Sequence, residues 1–205
     1  NANNSASSNV QGITINNTEE VSTVTAVAAK ASVSSTMQNH FDLFQLPATF
    51  AVDMGALDAA YRDVQGQVHP DRFVNATDAE KRVAMQWATR ANEAYQTLKS
   101  PFKRVVYLCE LNGVDLQVES NTAMPTAFLM QQMAWREALD ETHTEPALEA
   151  LMAEVQNARA QCLTQLARMI DEAGDYSQAV GQVRAMMFMD RFATEVRHQL
   201  DKLLD

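Results

Sequence analysis

A proline at position 70 falls between two stretches whose apolar residues recur every three or four positions, and that arrangement dictates a helical hairpin. On its N-terminal side Leu57, Tyr61, Val64 and Val68 form one helix face, with Asp53 placed as the N-cap of a helix running to about Val68. Proline disfavours helical geometry at the residue before it, so this helix must end at His69. Beyond a polar loop holding Asn75, Thr77 and Asp78, the pair Thr77 and Glu80 makes a capping-box pattern. The helix it opens carries Ala84, Trp87, Ala91, Tyr95 and Leu98, and Pro101 lies just past its end. A further short helix through Val105, Leu108 and Leu111 stops at Asn112-Gly113, a C-terminal cap signal.

The chain is therefore expected to be all-α, with no strand pattern and no internal repeat. Residues 37–113 read as one small helical domain, residues 114–126 as a linker with Ser120, Asn121, Thr122 and Pro125, and residues 127–205 as a three-helix bundle. The first bundle stretch covers about Thr126 to Glu141. The second runs from near Pro146 to Glu172 with Leu148, Leu151, Val155, Cys162, Leu166 and Met169 on one stripe, and Gly174-Asp175 breaks it. The third runs from Ser177 onward with Met189, Phe192, Val196, Leu200 and Leu203 in register. Residues 1–36 are rich in Asn, Ser, Thr, Ala and Val and hold no aromatic residue. They offer too little apolar surface to offset the entropy of ordering, so they are expected to be disordered.

A net charge of −10 repels phosphate backbones and argues against nucleic-acid binding. Cys109 and Cys162, the two cysteines, have no neighbour at metal-ligand spacing and read as reduced, buried thiols of a cytoplasmic protein. No apolar run is long enough to span a bilayer, and the N-terminal stretch lacks the basic end and apolar run of a secretory signal. His40, His143 and His198 are scattered, so neither a metal site nor a cofactor is expected. An enzyme built on His69 and Asp71 would lack a nucleophile, a phosphate-binding glycine loop and a water-excluding pocket, so a non-enzymatic role is expected.

The tripeptide His69-Pro70-Asp71 carries the functional signal. Pro70 stiffens the turn and splays the flanking side chains, leaving Asp71 as a carboxylate that can pair with an arginine of a partner. Alone, the tripeptide is also compatible with an ordinary proline turn. With its flanks, Tyr61 to Phe73 followed by Ala91-Asn92-Glu93-Ala94-Tyr95-Gln96-Thr97-Leu98, it resembles the J-domain family. Ser100-Pro101-Phe102-Lys103-Arg104-Val105-Val106-Tyr107-Leu108, Leu111-Asn112-Gly113 and the stretch Thr126 to Glu141 resemble the HscB branch of that family, so that the likeness covers about residues 37–205. The resemblance implies an antiparallel helix pair with a His-Pro-Asp loop followed by a three-helix bundle. It implies that His69, Pro70 and Asp71, with Arg62 and Arg72, bind an HscA-like 70-kDa heat-shock chaperone and stimulate its ATPase. It also implies an IscU-like iron–sulfur scaffold as client, and hence a role in cluster transfer and maturation of iron–sulfur proteins. The alternative is a J-domain co-chaperone of a general DnaK-type chaperone with a different client. Gly/Phe-rich linkers and Cys-rich zinc modules of general J-proteins are absent, as are the N-terminal zinc-binding cysteines of some eukaryotic relatives, which favours a bacterial, cytoplasmic protein. Two features depart from the family pattern. Gln65 and Gln67 stand where Lys or Arg is usual, weakening steering by the first helix and leaving part of it to Arg72, Lys81 and Arg82.

The second departure is Ala134 in the first bundle helix, a helix that by its own periodicity has two apolar faces. At 100° per residue Phe128, Trp135 and Leu139 share one side, a core stripe. Leu129, Met130 and Met133 share the other, which continues into carboxylates. A second apolar face edged by acids suits a protein-binding surface, and methionines adapt their shape to a partner. Coverage of this helix on both sides within the fold is the competing reading. The resemblance implies scaffold binding by Leu129, Met130, Met133, Ala134, Glu137 and Glu141, with Phe188 joining from the last helix because it lies off the Met189–Phe192–Val196 stripe. Ala134 replaces the family's usual acidic residue, which removes one charged contact.

Overall fold

The computed structural model describes residues 38–205, and the sequence expectation for residues 1–36 lies outside them. Among the described residues the chain forms seven α-helices and no strand. The short α1 (His40–Leu43) is closed by a reciprocal capping box between Asn39 and Asp42. Helix α2 (Met54–Gln67) starts where Asp53 accepts the Ala56 N–H and stops at Val68. A 3₁₀ turn (Pro70–Phe73) follows. Helix α3 (Asp78–Lys99) opens with the Thr77–Glu80 capping box. Helix α4 (Pro101–Leu111) has Ser100 as its N-cap and Pro101 in its first turn, where the missing N–H costs nothing. Gly113 follows its end at φ 75°, a geometry glycine adopts without steric cost.

Helices α2 and α3 pack as an antiparallel pair. Tyr61 stacks on Tyr95 at 4.2 Å between ring centroids, Tyr95 Oη donates to Asp58 at 2.7 Å, and Tyr61 Oη donates to Asn92 at 3.1 Å. Leu57, Val64 and Val68 from one helix and Ala84, Trp87, Ala91, Ala94 and Leu98 from the other are buried. The hairpin is thus held by apolar packing, with three directional side-chain contacts fixing its register.

The remaining helices are α5 (Thr126–Glu141), α6 (Glu145–Ala167) and α7 (Ala179–Leu204). Among the described residues helices α6 and α7 form the most extensive pairing, and α5 packs on α6 and, through Phe128 and Trp135, on Phe188 and Phe192 of α7. The expected stripe Leu148, Leu151, Val155, Cys162 and Leu166 is buried, but it ends on Ile170 rather than Met169. There α6 widens into a π-helical turn over Arg168–Glu172, marked by an Ala173 N–H bond to Arg168 O at 3.0 Å. The segment between α4 and α5 is laid on the body rather than free. Leu116 is buried, and Arg184 donates to Val118 O at 2.5 Å. Pro125 lies against α7 at Gly181, where a Cβ would make an ordinary contact of 3.4 Å with the proline Cδ.

All buried apolar residues join in one contiguous core across the two halves. Helix α4 packs on α7, Cys109 Sγ lies 3.8 Å from Tyr176 O, and Asp171 accepts hydrogen bonds from the Phe50 and Ala51 amides.

Candidate functional site

The His69-Pro70-Asp71 turn projects from the end of the α2–α3 pair. His69 has extended backbone geometry and caps the 3₁₀ turn, its Nδ1 accepting the Asp71 amide at 3.3 Å. Arg72 N–H donates to His69 O at 2.9 Å, and the buried Phe73 pins the turn to the core. The tripeptide is therefore a rigid, local structure. The Asp71 side chain is 88 % exposed, and among the described residues none takes both its oxygens. His69 Nδ1 also lies 3.6 Å from Asp71 Oδ2. The nitrogen that accepts the Asp71 amide cannot donate to the carboxylate at the same time. Arg62 on α2 and Arg72 beside the turn are exposed, as are Lys81 and Arg82 at the start of α3.

The second site lies on α5, whose two faces separate as expected. Trp135 is 2 % exposed and Phe128 and Leu139 are half-buried, whereas Leu129, Met130 and Met133 are 46 %, 71 % and 74 % exposed. Ala134, Glu137 and Glu141 are exposed on the same outer side. Among the described residues nothing covers this face.

Phe188 departs from expectation. It was expected to complete the exposed face from α7, but it is 9 % exposed and packed within a stack of aromatic rings. Its ring centroid lies 5.7 Å from Phe128, 6.5 Å from Trp135 and 5.8 Å from Phe192. The Arg136 guanidinium, ion-paired with Glu195, covers it at 5.4 Å. The cause is that α7 packs on α5 as well as α6, so two arcs of its surface are buried and a residue off one stripe falls on the other.

A third feature carries no local sequence signal. Asp171, in the π-helical turn, reaches back some 120 positions to the loop before α2. Among the described residues no three His, Cys, Asp or Glu side chains are placed to hold a metal ion, and no helix is long and apolar enough to cross a membrane.

Comparison with known proteins bears on the family of the chain. A family model described as the HSCB C-terminal oligomerisation domain matches residues 124–197, the part that contains α5 and most of α7. A co-chaperone protein HscB homolog of Burkholderia multivorans is 54 % identical over 172 residues, which is 82 % of this chain and 98 % of that protein. The chain belongs to the HscB family of co-chaperones. As an HscB-family chain it also matches solved structures along most of its length. Chaperone HscB from Vibrio cholerae, 33 % identical, superposes with a TM-score of 0.70 over 81 % of this chain and 99 % of that one. Human co-chaperone protein HscB, 25 % identical, gives a TM-score of 0.72 over 80 % and 83 %. In this HscB-family fold the α1–α4 half is the J-domain and the α5–α7 half the C-terminal helical domain. The relatives are co-chaperones rather than enzymes.

Proposed function

We propose that this chain is an adaptor that brings an IscU-like iron–sulfur scaffold to an HscA-like 70-kDa heat-shock chaperone and stimulates that chaperone's ATPase. The observation that carries the reading is the coexistence, on one continuously packed body, of two outward-facing protein-recognition elements of different chemistry. One is the His69-Pro70-Asp71 turn with its exposed carboxylate. The other is the uncovered Leu129–Met130–Met133 face.

Each element suits its partner. Asp71 offers two acceptor oxygens to a guanidinium, the geometry of a bidentate ion pair. Pro70 and the His69 cap hold that carboxylate in place, so little side-chain or loop entropy is lost on docking. Arg62 and Arg72 add positive charge beside it and speed encounter with an acidic chaperone surface. On α5, exposed methionine and leucine side chains provide an adaptable apolar centre, and Glu137 and Glu141 form a polar rim. Phe188 supports this face from beneath rather than touching the client. A cytoplasmic setting accords with the two free, buried thiols Cys109 and Cys162.

The test is an ATPase assay with purified HscA-like chaperone, with and without scaffold. Asp71→Asn and His69→Gln are expected to abolish stimulation while helicity by circular dichroism is unchanged. Replacing Leu129, Met130 and Met133 by Ala is expected to leave stimulation by the co-chaperone alone intact and to remove the extra stimulation seen with scaffold. Full activity of Asp71→Asn would refute the chaperone-facing assignment. Unaltered scaffold-dependent stimulation by the triple variant would place the client elsewhere.

A further inference from the structure

We infer that Asp171 is the positioning residue that fixes the J-domain on the bundle, holding the His69-Pro70-Asp71 turn and the α5 face at one relative orientation. Its consequence for coupled stimulation rests on the adaptor reading above; the orientation itself does not.

Three observations converge on this carboxylate. First, Asp171 accepts the Phe50 amide at 2.6 Å and the Ala51 amide at 2.9 Å, one on each oxygen. The loop it grips leads within two residues to Asp53, the N-cap of α2, so a grip on the loop is a grip on the helix that ends at the tripeptide. Second, the same loop is held from the other side. Phe50 is buried, and the Arg104 guanidinium of α4 lies 4.9 Å above its ring. Arg104 is itself buried, donates to Leu98 O at 2.7 Å, and its Nε has no hydrogen-bond partner among the described residues. Burial pulls the Arg104 pKa below its ordinary value, and the nearby Asp171 charge opposes that shift. A carboxylate from the bundle thus offsets a buried cation of the J-domain while capping its loop. Third, Asp171 stands in the one π-helical turn among the described residues. Such a turn inserts an extra residue and re-aims the side chains within it, and π-turns cluster at functional positions.

The halves are otherwise joined by α4 packing on α7 through the shared apolar core, with one weak thiol contact of Cys109 to Tyr176 O. Apolar burial is non-directional and resists separation more than rotation. Two short charge-assisted hydrogen bonds at one edge are directional and convert that contact into a fixed angle. An adaptor needs this. A client held on α5 is presented to the chaperone at the tripeptide only if the body between them does not roll.

The experiment uses the full chain with spin labels on Thr89→Cys, exposed on α3, and Gln156→Cys, exposed on α6; Cys109 and Cys162 are buried and stay unlabelled. Pulsed dipolar spectroscopy should give one narrow distance distribution. In Asp171→Ala its width is expected to rise at least about twofold, because domain motion is the default when a small interface loses its directional contacts. Asp171→Asn, which keeps one acceptor and the side-chain volume, should fall between and guards against misfolding of the Ala variant. An unchanged distribution in Asp171→Ala overturns the inference. In the ATPase assay Asp171→Ala should stimulate normally alone and bind scaffold normally, yet lose at least about fivefold of the scaffold-dependent gain, a coupling loss rather than a folding loss. Full coupled stimulation from a protein with a broadened distribution overturns the positioning role. If the unmutated protein shows no coupled stimulation, the adaptor reading fails, and the distance distribution alone decides on Asp171.

Discussion

Phe188 and Met130 offer a direct comparison, because sequence reasoning placed both on the client surface and the fold separates them. Phe188 lies among Phe128, Trp135 and Phe192, with Arg136 over its face. Truncating it to Ala removes the transfer free energy of a buried phenyl ring, about 2 kcal/mol, and its aromatic contacts, about 0.5–1.5 kcal/mol per pair. Three rigid rings around the void cannot all collapse into it, so a total of about 4–5 kcal/mol is expected, the upper end of the usual range for buried phenylalanine. For a folded unit of this size that lowers the melting temperature by roughly 10 °C. Met130 and Met133 are mostly exposed and Leu129 about half so. Changing these three to Ala, the best helix former, should move the melting temperature by little. Burying each in a complex contributes on the order of 1–2 kcal/mol, so their combined loss should weaken scaffold binding at least about a hundredfold. Thermal unfolding by circular dichroism and scaffold titration by calorimetry, run on the same samples, read both quantities. Phe188→Ala melting like the parent while losing scaffold affinity would show Phe188 to be a contact residue and refute the packing argument. A triple variant that melts early would show the α5 face to be core.

Two further predictions concern titrating groups. His40 stacks on Tyr107 at 4.4 Å and its backbone N–H donates to Tyr107 Oη; burial, partly offset by the Glu93 charge and reinforced by Arg90, holds its pKa below the ordinary 6.5. A depressed histidine pKa contributes stability that is complete above 6.5 and is lost as the pH falls through the folded value, so His40→Phe should flatten the fall in denaturant midpoint on acidification below 6.5. Burial raises the Cys109 and Cys162 thiols from 9.0 to about 11, so at pH 8 native alkylation should run about a hundredfold slower than for an ordinary thiol, and stability should decline as pH rises above 9.0; fast labelling of native protein would contradict the packing around them.

What a chain can announce by itself is what depends on near neighbours. The Asp53 cap, the Thr77–Glu80 box and the Asn112-Gly113 stop each lie within a few residues of the backbone groups they serve, and all three stand where sequence reasoning put them. The His69-Pro70-Asp71 turn is equally local, its geometry following from one proline and one side-chain cap. The separation of Phe128, Trp135 and Leu139 from Leu129, Met130 and Met133 is helical periodicity alone. Tertiary structure decided what needs a second element. Periodicity says that α7 has a buried stripe but not how many neighbours it serves, and with α5 on one side and α6 on the other the buried arc widens until it takes in Phe188. The bond from Asp171 to the Phe50 and Ala51 amides joins positions far apart in the chain through a π-turn that no residue pattern marks, because it exists only once the two halves have met and a buried Arg104 calls for an opposing charge.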